Sequence, residues 1–66
     1  MQIFINGEPR EVASDLSVAG LLVELRLEPR YLAVEKNFEL VPRRRHAQCL
    51  LRDGDRIEIV TLVGGG

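Results

Sequence analysis

Few residues in this 66-residue sequence carry groups that react. Cys49 is the one thiol and His46 the one imidazole, set close together in His46-Ala47-Gln48-Cys49. A thiolate–imidazole pair needs an exposed, electropositive setting and a third group to orient the imidazole. Cys49 lies instead in Ala47-Gln48-Cys49-Leu50-Leu51, an apolar context in which a cysteine acts as a packing residue. Asp53-Gly54-Asp55 offers two carboxylates, but a calcium loop needs several more oxygen ligands at fixed spacing, so this stretch reads as a turn. Arg43-Arg44-Arg45, with Arg52 nearby, is a basic stretch. It reads as a solvated face balancing the acidic residues; the alternative is steering toward an acidic partner, which raises association rate more than affinity. The chain closes on Ile59-Val60-Thr61-Leu62-Val63-Gly64-Gly65-Gly66. Glycine packs nothing and loses the most conformational freedom on ordering, so such an end either frays or serves something that needs a slim terminus. The sequence offers no acid–base constellation of its own, so no catalysis is expected from these residues.

The totals limit what can position these groups. Sixty-six residues make one domain. A chain of that size buries roughly 60% of its unfolded surface, so its core is small. One cysteine permits no internal disulfide and leaves a zinc or iron–sulfur site without ligands, which fits a reducing cytosol. Hydrophobic residues at 45% and charged ones at 29% describe a globular composition. No apolar run is long enough to span a membrane, and the start Met1-Gln2-Ile3-Phe4 does not resemble a signal peptide. A net charge of −1 gives no reason to expect nucleic acid as a partner. The three aromatics (Phe4, Tyr31 and Phe38) are too scattered for base stacking.

Periodicity supplies the elements. Met1, Ile3 and Ile5 alternate with Gln2, Phe4 and Asn6, a half-buried strand. Asn6-Gly7 is the strongest short hairpin signal, and residues 9–13 are expected to return as a second strand with Pro9 at its start. Ser17 is a helix N-cap, Leu16 can staple onto Leu21, and Val18, Leu21, Leu22 and Leu25 form one apolar stripe. Gly20 within the first turn costs about 1 kcal/mol relative to alanine, and a close approach to the sheet is the expected reason. Glu28-Pro29 ends the helix. Residues 32–35 and 39–41 read as short strands joined through Lys36-Asn37, residues 43–51 as a loop with one helical turn, and residues 56–63 as the last strand. A hairpin, a helix, and a final strand returning to the sheet centre make the β-grasp arrangement. The fold class expected is α+β, a mixed five-stranded sheet packed by one face on one helix.

Alternation puts Ile57, Ile59, Thr61 and Val63 on the inner side of the last strand and Glu58, Val60 and Leu62 on the outer side. Phe4 also points outward. With the first and last strands parallel at the sheet centre, Phe4, Val60 and Leu62 are expected to lie together as a partner docking surface beside the tail. Cover by loops or by an oligomer is the plainer reading.

These residues resemble the ubiquitin-like β-grasp superfamily, and within it the ThiS family of sulfur carriers in thiamine biosynthesis. The match rests on "INGEP" in the first turn, "VAGLL" opening the helix, "LAVEKNFELVPR" in the middle, "DGDRIEIV" entering the last strand, and "VGGG" at the end. It departs where such carriers often have an aromatic a few positions after "VPR", for this chain has Arg44-Arg45-His46. The resemblance implies a body of residues 1–63 and a flexible glycine tail of residues 64–66. It implies that an adenylyltransferase of the ubiquitin-activating, ThiF-like type joins the Gly66 carboxylate to AMP from ATP. Sulfur from a persulfide donor then leaves a thiocarboxylate on Gly66, which gives its sulfur to a ThiG-like thiazole synthase. Gly64 and Gly65 would let the end enter a narrow active site. No cofactor is expected on the carrier itself.

Three rivals stand beside this reading. The small subunit of molybdopterin synthase shares the implied tail chemistry with another acceptor, although such subunits tend to be longer. A ubiquitin-like modifier would couple Gly66 to lysines, and the single lysine, Lys36, leaves little scope for chains built on itself. A passive interaction module would ignore its tail.

Overall fold

In the computed structural model, which describes residues 1–62, five strands and one helix form in the expected order. They are β1 (Gln2–Ile5), β2 (Glu8–Glu11), α1 (Val18–Glu24), β3 (Leu32–Lys36), β4 (Glu39–Val41) and β5 (Arg56–Thr61). Pro29–Tyr31 and Arg43–Arg45 are 3-10 turns. The sheet order is β2-β1-β5-β3-β4, with β1 and β5 parallel and every other pair antiparallel. This is the mixed β-grasp sheet, with β5 at its centre.

Both hairpins close on two residues. Asn6 and Gly7 take φ of 49° and 87°, matching the twist that an Asn-Gly loop supplies. The returning strand starts at Glu8, so Pro9 sits one residue inside it opposite Phe4, which an edge strand tolerates because its outer side needs no donor. The second loop is Asn37-Phe38, with φ of 51° and 72°, and β3 therefore includes Lys36. That junction lies one residue later than the sequence suggests, because phenylalanine rarely enters the left-handed region.

The core is one layer between the sheet and α1. Ile3, Val34 and Ile57 from the sheet meet Val18, Leu21 and Leu22 from the helix, and Leu51 closes one side. Ser17 caps α1, its hydroxyl accepting from the Gly20 amide at 3.0 Å. A Cβ on Gly20 would lie 2.8 Å from Leu16 Cδ1, so the glycine makes room for the stapling leucine and not for the sheet. Thr61 is exposed although alternation places it inward, because β5 runs past the end of the core. Val63 and the glycines Gly64, Gly65 and Gly66 lie outside the described residues.

Candidate functional site: the strand that leads to the tail

Everything that could aim the tail acts through β5. β3 pairs with it from Leu32↔Thr61 to Lys36↔Ile57, while β1 pairs only at Phe4↔Arg56 and Ile5↔Ile57. Beyond Ile5 the first hairpin turns away, and the Asn6 side chain continues the ladder. Its Oδ1 accepts from the Ile59 amide at 2.8 Å and its Nδ2 donates to the Ile59 carbonyl at 3.3 Å. The other end of β5 is tied by Asn37, whose Oδ1 accepts from the Arg56 amide at 2.9 Å and whose Nδ2 donates to Asp55 Oδ1 at 2.9 Å. Asp55 is buried, and its Oδ2 takes the Arg52 amide at 2.8 Å, with Lys36 Nζ 3.9 Å away. Sequence reading took Asp55 for one half of a turn and missed this hub; the neighbouring Asn37 and Asp53-Gly54 turn residues were the available signal. Asp53 Oδ1 accepts from the Gln2 amide at 2.8 Å, so both carboxylates serve the turn.

At the exit, the Leu62 amide donates to the Tyr31 carbonyl at 2.7 Å. Val60 and Leu62 are each 54% exposed and Tyr31 56%, with the Arg30 guanidinium 5.1 Å from the Tyr31 ring centroid. Tyr31, held to Leu62 through its backbone, is a further exposed apolar residue at this exit that alternation could not find, because it lies on a turn and not on a strand.

Phe4 is on the same open face but does not join Val60 and Leu62. Its register partner is Arg56, four residues before Val60, or roughly 13 Å along the strand. The cross-strand pair Glu35↔Glu58 lies between them. Phe4 instead lines a 350 Å³ groove with Gly7, Phe38, Arg56 and Glu58. The expectation of one patch is corrected: alternation specifies a side chain's face, and only the register specifies its height along the strand.

The other chemical candidates are engaged locally. Cys49 is half-buried against the core, its amide donating to the Arg45 carbonyl at 3.0 Å and its carbonyl accepting from Val18 at 2.9 Å. His46 is buried, Nε2 donating to the Val41 carbonyl at 3.0 Å, while Nδ1 has no partner. Among the described residues no group of three or more His, Cys, Asp or Glu could hold a metal ion. No helix among them is long and apolar enough to cross a membrane.

Residues 3–66 of this chain match the ThiS family. The chain belongs to that family. The sulfur carrier protein ThiS of Escherichia coli is 33% identical over 66 residues, which is the whole of both chains. A solved structure of a ThiS thiamine biosynthesis protein from Geobacter metallireducens superposes with a TM-score of 0.87 at 35% identity, again over the whole of both. A thiazole synthase of Paramagnetospirillum magneticum is 46% identical over all 66 residues, but these make up 20% of it. The chain thus spans about a fifth of the length of the first curated relatives it matches. The ThiS likeness and the superposition agree with the β-grasp fold read from the sequence.

Proposed function

We propose that this ThiS-family chain is a sulfur carrier for building the thiazole of thiamine, loaded at Gly66. The observation that carries the reading is a family match running to the glycines, joined to a body whose central strand ends at Thr61, three residues before the first of them in sequence. A carboxylate resists nucleophiles because its charge is delocalised, so it must be activated. A ThiF-like adenylyltransferase would transfer AMP from ATP to Gly66 and release pyrophosphate. The terminal sulfur of a persulfide would then displace AMP and form an acyl disulfide. A thiol would cleave the S–S bond and leave the thiocarboxylate, a polarisable sulfur nucleophile. A ThiG-like thiazole synthase would take that sulfur. Two thiazole synthases contain a stretch similar to this chain, which favours this acceptor over a molybdopterin synthase.

Three glycines can reach at most roughly 10 Å and carry no side chains, dimensions that suit Gly64, Gly65 and Gly66 to a narrow channel. Val60 and Leu62, with Tyr31, would dock at the rim of that channel, and Phe4 would make a separate contact further along the same face. The test is intact mass spectrometry after incubation with ATP, the adenylyltransferase and a sulfur donor. The expected product is heavier by one sulfur-for-oxygen exchange, located at Gly66. A chain lacking Gly65 and Gly66 should keep its denaturation midpoint and gain no sulfur. An isopeptide product on lysines would establish the modifier reading instead.

A further inference from the structure

The arginine run is the strongly charged feature that sulfur carrying leaves unused. Arg43, Arg44 and Arg45 are consecutive, exposed, and carried on a 3-10 turn. The turn is fixed from both sides. The Arg45 amide donates to the Pro42 carbonyl at 2.8 Å, and the His46 carbonyl, next in the chain, accepts from Ala19 in α1 at 3.0 Å. Below it the His46 ring is 5% exposed and ties the turn to the end of β4.

Direct pairing with acidic residues does not account for these charges. Among the described residues the ion pairs use the N-terminus, Arg10, Arg30 and Lys36, and none of the three arginines has a carboxylate within ion-pair distance. Charge is also segregated along the chain: residues 40–52 hold four arginines and no acid, whereas the remainder holds five basic and ten acidic side chains.

The topology places this charge with respect to the tail. β4 and β5 both run antiparallel to β3 and therefore point the same way. Val34 pairs with both Val41 and Ile59, so the arginine turn follows β4 toward the end of the sheet where β5 carries Val60 and Leu62. Two strand spacings, roughly 10 Å, separate β4 from β5. A protein docked at the Val60 and Leu62 end of the sheet would therefore have the arginine turn at the same end, two strands away. Beside them lies a groove of about 510 Å³ whose lining includes Lys36, Glu39, Leu40, Pro42, Arg45 and Gln48; Glu39 puts one carboxylate at its β4 end, away from the arginine turn, and Leu40 is largely exposed.

We propose that this β4 edge is a second docking surface, which takes an acidic, partly apolar segment of the thiazole synthase that receives the tail, the enzyme whose relatives carry a stretch similar to this chain. The proposal rests on the carrier reading. The cationic turn meets the segment's carboxylates, and the groove takes its apolar side chains. Because the charges are exposed, their main effect is on encounter, and salt screens it.

The test compares the full wild-type chain with R43E/R44E/R45E and R43Q/R44Q/R45Q in stopped-flow association with the purified adenylyltransferase and with thiazole synthase. At low salt the charge-reversed chain should associate at least about tenfold more slowly with thiazole synthase, the neutral variant falling between. Both differences should shrink as salt rises. Equal rates and equal salt slopes with thiazole synthase, or a slowing confined to the adenylyltransferase, would overturn the proposal. So would a loss that salt does not alter, or retention of single-stranded RNA or anionic vesicles by the wild type without any change in enzyme association. Sulfur uptake by the wild type is scored separately by mass. Uptake with unchanged association sinks this proposal alone, and no uptake sinks the carrier reading.

Discussion

Asp55 and Phe38 show two opposite ways in which a single residue departs from its type's habits. Asp55 is a carboxylate buried in a domain that can afford few polar groups, and it is retained because both oxygens are satisfied. Asp55→Ala would strand the Arg52 amide and the Asn37 side-chain amide in a half-buried place. The expected loss is about 1–3 kcal/mol, read as a lower midpoint in urea with an unchanged slope. Phe38 is the reverse case, a bulky residue at a φ of 72° with its ring 74% exposed. Its packing return is small and its backbone cost is about 1 kcal/mol or more, so Phe38→Gly should raise the thermal midpoint. If the midpoint falls instead, the contact between Phe38 and the Phe4 groove outweighs the strain.

At the level of elements, β5 depends on a side chain acting as a short strand. β1 accompanies it only as far as Ile57, and Asn6 supplies the next two hydrogen bonds. Asn6→Ala should cost about 1–2 kcal/mol, since it removes both bonds and leaves alanine at a positive φ. The diagnostic reading is hydrogen exchange: the Ile59 amide should lose protection well before the amides of α1 do. The strands, the capped helix and the first hairpin were legible because each is specified by local periodicity or turn chemistry. The second loop was misplaced by one residue because Phe38 breaks the rule by which such loops are found. The role of Gly20 was misread because its constraint, the tip of Leu16, comes from the preceding turn and not from the sheet. The grouping of Phe4 with Val60 failed for a more general reason. Strand pairing height depends on which residues of two distant segments meet, and alternation within either segment carries no record of it.

For the molecule as a whole, the separation between Phe4 and the rim formed by Val60, Leu62 and Tyr31 allows tail delivery to be examined apart from folding. Val60 and Leu62 contribute little to the core, so Leu62→Asp should leave the unfolding free energy within about 0.5 kcal/mol of the parent, and Val60→Asp, inside the central strand, should cost about 1 kcal/mol. On the docking proposed above, the same changes would place carboxylates at the mouth of the partner's channel, where an unpaired buried charge is costly. Affinity for thiazole synthase should fall at least about tenfold for each, equivalent to about 1.4 kcal/mol. Phe4→Asp sits roughly 13 Å away along the sheet, beside Arg56, which can pair with the new carboxylate. Its effect on affinity should therefore be smaller than that of either rim substitution. Isothermal titration with the three variants orders them. If Phe4→Asp weakens binding as much as Leu62→Asp, the partner covers the whole open face, Glu35 and Glu58 included, and docking is not confined to the root of the tail.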